Sequence, residues 1–194
     1  GQCSDFIITL KGPKNIFFIS EKEVEALLIK ACKGPIRGQA IASLQLNELE
    51  EMLEKNTWIS EAELYLDSRD VLHILVTEKE PVARVFTAGG NSFYIDAAGQ
   101  QMPLSELHSA LVPVFTGFPD KKVYTGADSI LLGHVRKTAA YILNDPFWMA
   151  QVAQINITPE RNMELIPVVG NHIVKLGDGE NIEAKFNRLM IFYR

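Results

Sequence analysis

Residues 53–85 read LEKNTWISEAELYLDSRDVLHILVTEKEPVARV, and the fold is decided within them. Ala62, Leu64 and Leu66 alternate with Glu61, Glu63 and Tyr65. After the polar run Asp67-Ser68-Arg69-Asp70, the residues Leu72, Ile74 and Val76 share one face. Two period-two segments joined by a short polar turn are the pattern of an antiparallel hairpin with one dry face. At Glu78-Lys79-Glu80-Pro81 the pattern breaks, because proline has no amide to give a sheet ladder. A domain boundary is expected there, although the strand can resume from Val82 to Phe86 and make the connection stiff.

Upstream, Asp5 to Leu10 reads as a strand with Phe6, Ile8 and Leu10 on one side. Ser20-Glu21-Lys22-Glu23 is a capping box, worth about 1 kcal/mol to the helix it opens. That helix carries Val24, Leu27, Leu28 and Ala31 on one face and stops at Lys33-Gly34-Pro35. A second helix runs from Asn47 to Lys55, with Leu49, Met52 and Leu53 facing inward and Glu48, Glu50, Glu51 and Glu54 solvated. The order βααββ makes a small α+β layer, and a unit of about 75 residues has a marginal core by itself.

Downstream, Val85-Phe86 and Ser92 to Ile95 flank a glycine-rich turn, and Gln101 to Leu104 follows the turn Asp96-Ala97-Ala98-Gly99. Val112 to Phe115 is expected as a strand. Asp128 is expected to cap a helix over Ser129 to Asn144 whose buried face is Ile130, Leu131, Val135, Ile142 and Leu143, ended by Asp145-Pro146. Strands follow at Val152–Ile157, Met163–Val168 and His172–Leu176, the last two turned by Gly170-Asn171. A final helix over Asn181 to Phe192 is expected to bury Ile182, Phe186, Leu189 and Phe192. This second part reads as a mixed α/β domain with an extended, mostly antiparallel sheet and two helices.

The chain has 194 residues, enough for one large domain or two small ones. Twenty-four acidic against 19 basic side chains give a net charge of −5, which argues against nucleic acid as a partner. The longest uncharged run, Pro146 to Pro159, is shorter than the roughly 20 apolar residues a membrane helix needs. Nothing at the start reads as a signal peptide. Cys3 and Cys32 are too few for a disulfide scaffold and match no zinc spacing. They pair in an oxidising compartment or stay as partly buried thiols, and base rates favour the second. His73, His108, His134 and His172 have no ligand-type neighbour at metal spacing. No nucleophile elbow, Walker loop or dinucleotide fingerprint is present, so no catalytic, cofactor or metal residue is nominated.

The residues around the boundary carry a family resemblance. Helix-ending Leu53 to Lys55, the pair Trp58-Ile59, the two strands, and Glu78-x-x-Pro81-Val82-Ala83-Arg84 resemble the end of the POTRA domain of the bacterial FtsQ/DivIB division proteins. Ser92-Phe93-Tyr94-Ile95-Asp96 with Gly99 and Met102-Pro103-Leu104 is similar to that family's next hairpin. Val112-Pro113-Val114-Phe115-Thr116-Gly117 and Lys175-Leu176-Gly177 followed by Lys185-Phe186-Asn187-Arg188-Leu189 resemble its later segments.

The resemblance implies a POTRA domain over residues 1–80 and the family's β domain over 81–194, truncated before its terminal strand. It implies the extracytoplasmic, periplasmic part of a single-pass inner-membrane protein whose N-terminal anchor is absent here. It implies a non-enzymatic scaffold without cofactors that binds FtsB, and through it FtsL, and helps control septal peptidoglycan synthesis. The expected contact is a strand added to the hairpin Met163–Leu176, through Arg161, Met163, Leu165, Ile173 and Lys175. In the first unit, Asp5–Leu10 or Val71–Thr77 is expected as an open sheet edge. The alternative is a POTRA-bearing periplasmic module of an outer-membrane assembly or secretion system.

Overall fold

Glu23 donates its amide to Ser20 Oγ at 3.1 Å, closing the first half of the capping box. The Ser20 hydroxyl itself turns to the Glu23 carboxylate at 3.5 Å. The helix so opened is α1 (Glu21–Cys32), and it ends on Lys33 in the left-handed conformation. The computed structural model describes residues 1–12, 14 and 16–193. These fall into two compact units, Gly1–Glu80 with Ser105–Ser109, and Pro81–Leu104 with the chain from Ala110 onward.

The first unit contains β1 (Asp5–Lys11), α1, α2 (Leu46–Glu54), β2 (Ile59–Leu66) and β3 (Val71–Glu78). Its sheet order is β1-β3-β2, with β1 parallel to β3 and β2 antiparallel. Of the two strands expected as an open edge, Asp5–Leu10 is one and Val71–Thr77 is not. The hairpin fills one side of β3, and β1, brought round by the helical crossover, fills the other. The edges are β1 and β2, and on β2 the amide of Leu64 is already taken by the Glu50 carboxylate at 2.8 Å. Val24, Leu28, Leu53, Leu72, Ile74 and Val76 are buried between helices and sheet. Each such side chain contributes roughly 1.5–3 kcal/mol.

Glu78, at the end of β3, is 4% exposed. Its Oε1 accepts from the amides of Phe18 and Ile19, both at 2.9 Å, fixing the segment that leads into α1. Burial raises the pKa of its carboxyl, and the two amides pull the other way. Phe18 stacks on Trp58 with centroids 4.8 Å apart.

The second unit contains β4 (Pro81–Thr87), β5 (Ser92–Asp96), β6 (Gln101–Met102), β7 (Val114–Phe118), α3 (Gly126–Leu143), α4 (Pro146–Gln151), β8 (Val152–Ile157), β9 (Met163–Pro167), β10 (Val174–Gly177) and α5 (Ile182–Met190). The sheet runs β10-β9-β8-β7-β4-β5-β6. The β4–β7 and β7–β8 pairs are parallel and the others antiparallel. The core joins Val85, Phe115, Ile155 and Leu165 of the sheet to Leu131, Val135 and Ala139 of α3, Trp148 of α4 and Phe186 of α5.

Four details differ from expectation. The residue preceding α3 is Thr125, and Asp128 lies inside the first turn with 2% exposure. Of the expected buried face, Leu131, Val135 and Ile142 are buried, whereas Ile130 is 63% exposed. Pro146 starts a helix: Asp145 caps α4 by accepting from the Phe147 amide at 3.0 Å, with proline tolerated at the first position. Phe192 lies beyond α5, off its buried face, and is exposed.

Gly117 explains itself. Its φ is +78°, and a Cβ there would lie 2.4 Å from the Ile157 carbonyl oxygen. Only glycine lets β7 approach the end of β8 so closely.

Candidate functional site

The sheet of the second unit ends on β10, which pairs with β9 in the register Val174↔Leu165 and Lys175↔Glu164. A bulge between Lys175 and Gly177 bends the end of the strand. The connection into β10 exposes apolar side chains: Val168, Val169 and Ile173 are all more than half exposed. Ile173 and Lys175 thus stand on an accessible border.

Met163 and Leu165 do not, and this corrects the expected contact set. Both are fully buried, because they are the inward positions of β9, and Met163 sulfur accepts from the Thr138 hydroxyl inside the core. At Met163 and Leu165 strand β9 is also paired on both sides, so the backbone there is already engaged.

Arg161 takes the left-handed conformation at φ 64° in the turn between β8 and β9. Its Nε donates to Asp128 Oδ1 at 2.8 Å, and Lys121 donates to the other carboxylate oxygen. Lys121 first and Arg161 second hold the Asp128 carboxyl below the usual range. Arg161, expected in the partner contact, is thus already paired with an acid of its own chain.

Other residues singled out in the sequence are structural. Arg84 lies over the rings of Phe86 and Tyr94 and donates to Ser92 Oγ at 3.1 Å. Asp96 Oδ1 accepts from the amides of Ala98 and Gln100, both at 2.9 Å, building the turn before β6. His73 stacks on Tyr65 and meets Asp67 at 2.8 Å. An open groove of about 930 Å³ between α3 and the start of α5 is lined by His134, Lys137, Tyr141, Asn144, Glu180 and Glu183. Its charges are mixed in sign. Among the described residues no three His, Cys, Asp or Glu side chains are placed to hold a metal ion. No described helix is long and apolar enough to cross a membrane.

Two features carry little or no local signal. Asp128 reads as a helix cap, and no local spacing marks the ion pair it forms with residues 7 and 33 positions away. Val168-Val169 before Gly170-Asn171 was a usable signal, since a hairpin tip is normally polar.

Residues 80–194 match the family described as FtsQ/DivIB, C-terminal related. The chain belongs to the FtsQ/DivIB C-terminal-related family. Residues 1–77 match a POTRA-like domain, in agreement with the βααββ order of the first unit. Two FtsQ relatives carry the name "Cell division protein FtsQ". One, from Geotalea daltonii, is 26% identical over 165 residues, covering 83% of this chain and 59% of the relative. The other, from Salinibacter ruber, is 26% identical over 164 residues, covering 81% of this chain and 63% of the relative. The chain thus spans about three fifths of the length of each FtsQ relative.

Proposed function

We propose that the chain is the extracytoplasmic binding part of a single-pass inner-membrane protein of the bacterial division machinery. Residues 1–80 serve as its POTRA domain and residues 81–194 as its β domain. It works without catalysis, holding FtsB- and FtsL-type partners in the cell envelope and thereby helping to control septal peptidoglycan synthesis. The observation that carries the reading is the outer edge of β10, bordered by exposed Ile173 and Lys175 in a chain of the FtsQ/DivIB family. A terminal strand offers a row of backbone groups to an extended segment, which pairs by its main chain and is selected by its side chains. The match over residues 80–194 favours this reading over a secretion or outer-membrane assembly module.

The test is binding of the purified chain, and of the full-length protein in detergent, to the periplasmic parts of the same organism's FtsB–FtsL pair. Capture that is weakened by Ile173→Glu or Lys175→Glu is the expected result. Failure of both folded forms to bind overturns the assignment.

A further inference from the structure

The first residues of the chain are stitched to the loop that follows α1. Cys3 donates its amide to the Gln39 carbonyl at 2.8 Å, and Gly38 donates to the Cys3 carbonyl at 2.8 Å. Gln2 bridges Ala40 in the same antiparallel sense. Cys32 is the last residue of α1, and the left-handed Lys33 turns the chain back beside the helix end. Gln39 then reaches Pro35 O through Nε2 at 3.0 Å, and Gln39 and Cys32 line one cavity of about 530 Å³. Cys3 is therefore backbone-paired to the residue whose side chain shares a wall with Cys32. Consistently, burial and, after it, the neighbouring Cys3 sulfur push the Cys32 thiol up. Both thiols are free in this structure, and their exposures differ: Cys3 is buried and Cys32 half-buried.

We infer that Cys3 and Cys32 are a disulfide-forming pair, with Cys32 the entry thiol and Cys3 the resolving thiol. The oxidant is a protein disulfide of the thioredoxin-like class, so the inference rests on the envelope placement proposed above. The Cys32 thiolate attacks one sulfur of that disulfide, forming a mixed disulfide, and the displaced sulfur leaves as a thiolate that takes up a proton. The Cys3 thiolate next attacks the Cys32 sulfur, and the second oxidant sulfur leaves as a thiol. Two cysteine thiols are oxidised to one disulfide, and the oxidant disulfide is reduced to two thiols, which carry the two released protons. The buried sulfur cannot begin the exchange, since an external disulfide must reach the thiolate it meets. The closed loop restricts the unfolded chain, so the oxidised form melts higher.

The experiment uses the reduced chain, oxidised glutathione as probe, trapping by an alkylating reagent, intact mass and peptide mapping. Wild type is expected to lose the mass of two hydrogen atoms, to resist alkylation and to yield a peptide joining residues 3 and 32. Cys3→Ser is expected to stop at a glutathione adduct on Cys32, and Cys32→Ser to leave Cys3 unmodified while folded. The wild-type rate is expected to rise with pH, as the raised Cys32 thiol requires. A stable glutathione adduct on wild type, or unreacted thiols in protein still folded by circular dichroism, overturns the inference. Neither outcome touches partner binding, so a chain that closes the disulfide but fails to bind FtsB–FtsL refutes the proposed function alone.

Discussion

Arg161 and Asp128 stand 33 residues apart, yet the Arg161 guanidinium donates to the nearly buried Asp128 carboxylate at 2.8 Å and ties the β8–β9 turn to the first turn of α3. With Lys121 on the other oxygen, one anion joins three segments. Its partners are about half exposed, so solvent and salt weaken the pairs.

The pH dependence follows from the lowered folded pKa of Asp128. Its contribution is fully present above the unfolded aspartate value of about 3.9 and is lost as pH falls through the lower folded value. Melting curves of wild type and Asp128→Asn should differ by a constant amount from neutral pH down to about pH 4 and converge below it. A difference that ignores pH would show that the carboxylate's charge contributes nothing.

Glu78 works in the opposite sense. Its folded pKa is raised by burial, so the part of its contribution that depends on protonation is fully present below the ordinary glutamate value of about 4.3 and is lost as pH rises through the raised value. Glu78→Gln should flatten that slope. Glu78→Ala should cost about 1–3 kcal/mol at neutral pH, because the amides of Phe18 and Ile19 lose their acceptor. Urea unfolding of the three proteins at several pH values decides both points.

Gly117→Ala should cost at least about 2 kcal/mol, combining a left-handed backbone with a Cβ pressed on the Ile157 carbonyl. Gly90 has φ +91° and nothing within 4 Å of its would-be Cβ. Gly90→Ala should cost about 1–2 kcal/mol, the backbone part alone. Equal losses from the two substitutions would refute the role given to close approach.

At the sheet border, Ile173→Glu and Lys175→Glu should change stability by no more than about 0.5 kcal/mol, since both positions are exposed. Affinity for an FtsB-type partner should fall about tenfold or more, equivalent to about 1.4 kcal/mol. Titration calorimetry with the folded variants separates the two effects, and unchanged affinity would remove β10 as the contact.

Local chemistry was legible in the sequence. Ser20 with Glu23, the alternation across Asp67 to Asp70, and the proline and glycine stops announced their elements within a few residues. What stayed hidden depends on residues far apart. That β3 is central follows from where β1 lands, and no period in Val71–Glu78 encodes it. That Met163 and Leu165 face inward follows from the pairing of β9 with β8. Ile173 and Lys175 lie on the exposed border, whereas Arg161 is bonded to an acid 33 residues earlier. Alternation shows that a strand has two faces; the fold decides which face is dry.

The position of β7 also sets a clock. It pairs with β4 on one side and β8 on the other, and residues 119–151 lie between it and β8. A ribosome adding 5–20 residues per second needs roughly two to seven seconds to deliver that interval. Throughout it, the nascent sheet carries Phe115 on a border whose permanent neighbour has not yet been synthesised. The delay in closing this sheet is therefore written by the order of translation as much as by the strength of its contacts.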